Sequence, residues 1–177
     1  MIAAAVAEAM KPDATVEKVI DCAIRIAPGK PFVTFDERNP NNLKDTLKKA
    51  VDVANKYNDV FEARKGLYEN LLQWAAIDPQ EVFALTFGIF VASKGDTKMA
   101  MIGGANIGRD ADTISNLNGT LCGAMNGIDS IPKEWVEKLE KIKGGLQIAE
   151  NAEKMTQLVA SKMESMSKQV EQIRAMM

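Results

Sequence analysis

The feature that most constrains the fold is a stretch of the chain that is apolar on almost every side. Residues 80–92 read QEVFALTFGIFVA, with small residues between the large ones. A helix that is hydrophobic all round belongs in a protein interior, because no face of it is suited to water. We therefore expect this helix to lie in the middle of a core built by other helices.

The rest of the chain also follows helical periodicity. No segment shows the sustained period-two alternation or the clustered β-branched residues that a sheet would require. We therefore predict an all-α protein, folded as a compact helical bundle. A polar loop with a short extended piece at 32–35 is expected between the second and third helices. The further helices are predicted at residues 1–10, 16–26, 43–54, 61–74, 97–103, 114–127 and 133–143.

The C-terminal part of the chain has a different pattern. The glycines at 144 and 145 predict the end of a helix, so we divide the chain into a helical domain at 1–143 and an amphipathic helix at 144–177. This last helix either packs on the surface of its own domain or associates with a second copy or a partner. Its apolar seam recurs at alternating spacings of four and three: Val159, Met163, Met166, Val170, Ile173 and Met177.

Composition excludes several functional classes. The chain of 177 residues has 22 basic and 24 acidic side chains, a net charge of -2, which does not favour nucleic-acid binding. It contains no histidine, which argues against a zinc site and excludes a histidine base. The absence of a long apolar run and of a basic leader argues against membrane insertion and predicts a cytoplasmic location. Cys22 and Cys122 are expected to be free buried thiols.

The residues of one segment alone indicate a candidate metal site. Residues 103–108 contain three glycines, and Asp110, Asp112 and Thr113 follow immediately. Carboxylate and hydroxyl oxygens are the ligands that hard divalent cations prefer. The same residues also suit a helix start, where Asp112 or Thr113 would cap free backbone N–H groups. A phosphate-binding loop does not fit, because the Lys and Ser or Thr of that motif are missing.

A longer pattern around this segment resembles the ADP-ribosylglycohydrolase family. Residues 106–113 read Asn-Ile-Gly-Arg-Asp-Ala-Asp-Thr, residues 114–127 predict a helix of small residues, and residues 131–135 read Ile-Pro-Lys-Glu-Trp. The family has Asn-x-Gly-Gly-Asp-x-Asp-Thr, then a helix of small residues and Ile-Pro-x-x-Trp. The resemblance covers about residues 1–140 and implies an orthogonal helical bundle.

The resemblance also implies a chemistry. Enzymes of this family use two divalent cations, usually Mg²⁺ and possibly Mn²⁺ here, to hold the ribose of ADP-ribose while its glycosidic bond to an acceptor is hydrolysed. It implies Asp110, Asp112 and Thr113 as metal ligands, with Asp112 the bridging one, and Gly108 and Arg109 as substrate-binding residues. The implied partner is an ADP-ribosylated protein or a small ADP-ribose conjugate.

Two features differ from the family pattern. Arg109 replaces the second glycine, so its cation can pair with the carboxylates, weaken metal binding or reach a substrate phosphate. The family's other ligand group, an N-terminal Thr-Asp-Asp, has no counterpart in this sequence. The chain is then part of a longer enzyme, a shortened protein without catalysis, or half of a site completed by another chain.

A non-catalytic helical module that binds a metal, ADP-ribose or another protein is the alternative function. Glu81, near the start of the apolar helix, is expected to be an ordinary acidic residue of a first helical turn.

Overall fold

A computed structural model of the chain describes residues 1–30, 42–73, 75–142 and 147–176. The described residues contain helices and no strand, which confirms the all-α prediction. They fall into two units, Met1–Pro132 and Lys133–Met177. The extended piece expected at 32–35 and the domain boundary expected between 143 and 144 lie outside the described residues, and both stay predictions.

The helices occupy most of the positions that periodicity predicted. A short 3₁₀ helix at Ile128–Ser130 follows the seventh described α-helix. The α-helices are α1 (Ile2–Ala9), α2 (Val16–Ile26), α3 (Leu43–Ala54), α4 (Val60–Leu71), α5 (Pro79–Ala92), α6 (Thr97–Asn106), α7 (Ala111–Asn126), α8 (Lys133–Glu140) and α9 (Ile148–Ala175).

Helix α5 is the centre of the first unit, as its composition predicted. All of its residues are buried except Pro79 and Phe83, which are partly exposed. It contacts α2, α3, α4, α6 and α7. Phe87 and Phe90 are among the largest side chains that are fully enclosed. Burying a large apolar side chain of this kind contributes about 1.5–3 kcal/mol, so this helix organises the bundle around itself.

Most helices of the first unit begin at a side chain that caps the backbone. In each case a side-chain oxygen accepts a hydrogen bond from a backbone N–H of the first turn, which satisfies a donor that the helix itself leaves free. These capping residues are Thr15, Asn42, Asp59, Asp78 and Asp96, for α2, α3, α4, α5 and α6 in turn.

The boundaries of α6 and α7 differ from the predicted ones. Helix α6 continues through Gly103 and Gly104 to Asn106, and α7 begins at Ala111, three residues earlier than expected. The reason is close packing: a Cβ on Gly104 would lie 2.7 Å from Cα of Ser115 in α7. The glycines therefore allow two helices to approach and do not break the first of them. The connection between α6 and α7 is correspondingly short.

The second unit consists of α8 and α9. Helix α9 is 28 residues long and its described side chains are all exposed. Lys154 pairs with Glu150 at 2.5 Å and Lys168 with Glu164 at 2.7 Å, each one turn apart on the helix surface. Such pairs stabilise an exposed helix slightly. None of the described helices is long and apolar enough to cross a membrane.

Candidate functional site

The connection between α6 and α7 adopts an unusual backbone conformation. Gly108 has φ of 77° and Arg109 has φ of 62°, so two consecutive residues lie in the left-handed region. Glycine is needed at the first position for a second reason, since a Cβ there would lie 2.6 Å from the Tyr68 hydroxyl oxygen. Arginine at the second position is strained by roughly 1–2 kcal/mol, which other contacts must offset.

Tyr68 and Arg64 of α4 anchor the start of this connection. The Tyr68 hydroxyl donates a hydrogen bond to the backbone carbonyl of Ile107, and Nε of Arg64 donates to the same oxygen at 3.4 Å. The guanidinium of Arg64 also lies over the Tyr68 ring, 4.6 Å from its centroid. Ile107 itself is fully buried. The backbone just before Gly108 is therefore held by two hydrogen bonds from α4 and by the burial of the Ile107 side chain.

Arg109 anchors the middle of the connection through a buried carboxylate. Its Nε donates to Oε1 of Glu81 at 2.6 Å and its Nη2 donates to Oε2 at 2.9 Å, a two-point pairing. Nη2 also donates to the carbonyl of Gln73 at 2.9 Å, and the backbone N–H of Gln73 donates back to Glu81. The hydrogen bond to Glu81 raises the pKa of the Arg109 guanidinium above its ordinary value.

The expectation that Glu81 is an ordinary first-turn residue is therefore wrong. Its side chain is 0% exposed, whereas that of Arg109 is 25% exposed. A carboxylate is almost never fully buried unless it is paired, because removal from water is costly. The sequence did carry a signal: Glu81 is the one charged residue in the apolar stretch, and Arg109 is the one basic residue between residues 103 and 113.

The three predicted metal ligands lie at the start of α7. Asp110 is the residue that precedes the helix, and its side chain makes no capping hydrogen bond. Asp112 and Thr113 lie in the first turn and are exposed, and the side chain of neither forms a hydrogen bond with any described residue. The alternative in which Asp112 or Thr113 caps this helix is thus wrong, because the helix begins before both of them.

This arrangement suits a cation in part. The site offers two carboxylates and a hydroxyl whose oxygens are not occupied by described residues, and Arg109 pairs with Glu81. Within the described ranges there is no group of three or more His, Cys, Asp or Glu side chains that could hold a metal ion. Since Mg²⁺ takes about six oxygen ligands, water, substrate or further protein groups would complete its coordination.

The fold and this loop together define an all-helical protein with an acidic, oxygen-rich site at a helix start. Comparison with protein families matches residues 1–167 of the 177 to the ADP-ribosylglycohydrolase family. The chain belongs to the ADP-ribosylglycohydrolase family. Neither a search of curated proteins nor a search of solved structures gives a match.

Proposed function

We propose that this protein hydrolyses the glycosidic bond between ADP-ribose and an acceptor, and that Asp110, Asp112 and Thr113 are the ligands it contributes to a site for two Mg²⁺ ions. Family membership supports the reaction class. The observation that carries the site is the start of α7: its acidic oxygens are unoccupied by described residues although the loop beside them is firmly anchored.

The residues of this chain would act by holding and orienting. Asp110, Asp112 and Thr113 would hold Mg²⁺, whose chemistry would be to orient ribose hydroxyls and a water and to stabilise charge as the glycosidic bond breaks. Asp110 and Asp112 would supply the negative charge that holds the ions, with Asp112 as the bridge, and Thr113 would supply a neutral oxygen. The dipole of α7 favours the carboxylates at its N-terminus even before an ion binds.

Gly108 and Arg109 would face the substrate from the other side of the loop. Gly108 is partly exposed and would contact the ribose through its backbone, since the Tyr68 hydroxyl fills the space that a side chain would take. Arg109 uses Nε and Nη2 for its bonds to Glu81 and Gln73, and Nη1 donates to no described residue. That remaining donor is suited to a phosphate oxygen of ADP-ribose. The implied substrate is an ADP-ribosylated protein or a small conjugate.

Calorimetric titration with Mg²⁺ and Mn²⁺, followed by ADP-ribose, tests the ligand assignment. We expect saturable metal binding that is lost in Asp110→Ala and in Asp112→Ala. Asp96→Ala is a matched control, because Asp96 also precedes a helix but its carboxylate oxygen accepts a hydrogen bond from the backbone N–H of Met99 and so caps α6. Losing that cap costs about 1 kcal/mol, while Mg²⁺ binding stays unchanged. Unchanged binding in Asp112→Ala would refute the assignment.

A second candidate function is a module that binds the metal and ADP-ribose without hydrolysis. The lack of a larger acidic cluster among the described residues favours it. Incubation with an ADP-ribosylated protein separates the two candidates. Release of ADP-ribose that requires Asp112 supports the hydrolase, whereas binding of free ADP-ribose without release supports the module.

A further inference from the structure

Helix α9 carries an apolar stripe that is exposed along its whole length. The helix is about 42 Å long, at 1.5 Å per residue. Methionine and β-branched residues dominate the stripe, and each of its large members is about half exposed or more. Exposed apolar surface of this extent marks an interaction site. The members are Ile148, Met155, Val159, Met163, Met166, Val170 and Ile173.

Between residues 152 and 176 the stripe follows a heptad repeat. Val159, Met166 and Ile173 occupy one core position, and Met163 and Val170 occupy the other. Neither ion pair of α9 uses a core position. Glu150 and Glu164 come directly after a core position, and Lys154 and Lys168 take the position farthest from the core. The apolar seam can therefore be covered without disturbing either ion pair.

We propose that α9 binds α9 of a second copy of this chain as an antiparallel coiled coil. One register overlaps the two helices from residue 153 to residue 176. In that register Met163 faces Met166 of the partner subunit, Val159 faces Val170 of the partner subunit, and Thr156 faces Ile173 of the partner subunit. Two-fold symmetry repeats each contact, as is usual for a dimer.

The charges beside the seam favour this orientation. In an antiparallel pair, flanking positions of the same kind meet each other, so Glu153 faces Arg174 of the partner subunit, twice by symmetry. The remaining charged flanking residue, Lys162, faces the neutral Gln169 of the partner subunit. In a parallel pair Glu153 faces Ile148 and Arg174 faces Gln169, so no opposite charges meet. Flanking charges of this kind set the orientation of coiled coils.

Sedimentation equilibrium of the full chain, over a range of concentrations, tests whether the dimer forms. We expect a mass that rises with concentration from one copy to two. Val170→Asp should abolish the dimer, because it places a carboxylate against an apolar residue in two layers. Circular dichroism of the variant checks that the helices remain. A wild-type chain that stays monomeric throughout, with α9 resting on its own domain or free, would overturn the proposal.

Charge reversal tests the orientation. Glu153→Arg and Arg174→Glu should each weaken the dimer about tenfold, since two attractive pairs become two repulsive ones. The double variant should recover wild-type affinity. Glu171→Arg, the same change on the outer face, is the matched control and should have little effect. Failure of the double variant to recover would exclude the antiparallel register, even if the chain is dimeric.

Discussion

The ion pair between Arg109 and Glu81 gives the sharpest test of how the loop is held. Arg109→Ala would leave a fully buried carboxylate whose remaining described partner is the backbone N–H of Gln73. Removing one partner of a buried pair costs about 3–5 kcal/mol. Since a quarter of the Arg109 side chain is exposed, water enters the vacated space and we expect about 2–3 kcal/mol.

Two further variants separate the cost of the backbone strain from the cost of the unpaired buried charge. Arg109→Gly removes the same pair but suits the φ of 62°, so it should be about 1 kcal/mol more stable than Arg109→Ala. Adding Glu81→Gln to Arg109→Ala removes the buried charge. The double variant should therefore be no less stable than Arg109→Ala alone, although Glu81→Gln by itself is destabilising.

Urea and thermal unfolding, followed by circular dichroism, measure these differences. In a chain of this size 1 kcal/mol corresponds to a shift of about 2–4 °C in Tm. If Arg109→Ala and Arg109→Gly are equally stable, the left-handed strain is not a factor. If the effects of Glu81→Gln and Arg109→Ala add up in the double variant, the two side chains are not coupled and the reasoning fails.

Three further predictions concern the loop, the helix contact and the buried thiol. Gly108→Ala should destabilise the fold by about 2 kcal/mol, because Gly108 has a positive φ and its Cβ would clash with Tyr68. Gly123→Ala, in α7 with nothing near its Cβ, should stabilise the fold by about 0.5–1 kcal/mol. Urea unfolding curves of the two variants measure the difference. Gly104→Ala should lower Tm by forcing α6 and α7 apart. Gly119→Ala, inside α7 and with only ordinary contacts at its Cβ, should instead raise Tm slightly, and equal shifts would contradict the close approach. Burial raises the pKa of the Cys122 thiol to about 12 from 9.0, so the unfolded chain loses this proton first and stability falls as pH rises between those values. Cys122→Ala should remove that part of the alkaline dependence in pH-dependent unfolding, and an identical profile in the variant would refute it.

Much of the fold follows from local pattern. The bounds of α2 agree with prediction because Thr15 caps one end and the Pro-Gly sequence at residues 28 and 29 follows the other. The burial of α5 follows from its composition alone. The bounds of α6 and α7 could not be read in the same way. Glycine has poor helix propensity, and only the contact between Gly104 and Ser115 shows that packing overrides it here.

The candidate site could likewise be predicted only in part from the sequence. Asp110, Asp112 and Thr113 could be found from sequence because the motif is contiguous, and their role as metal ligands stays a prediction. The partner of Arg109 could not be found by spacing, since Glu81 lies 28 residues earlier and meets it only when α5 and the loop pack together. Because a buried carboxylate requires a partner, the sequence could predict that Glu81 is paired. It could not show which cation is the partner.

The conformation of Arg109 bears on the proposed metal site. The family pattern has glycine at this position, and Arg109 keeps the positive φ that glycine adopts readily. Its side chain pairs with Glu81, and no ion pair joins it to Asp110 or Asp112. The contacts that hold the loop come from Tyr68 and Glu81, and neither uses a carboxylate oxygen of the predicted ligands. Loop stability and the proposed metal binding therefore depend on different side chains, and we expect substitutions to affect one without the other.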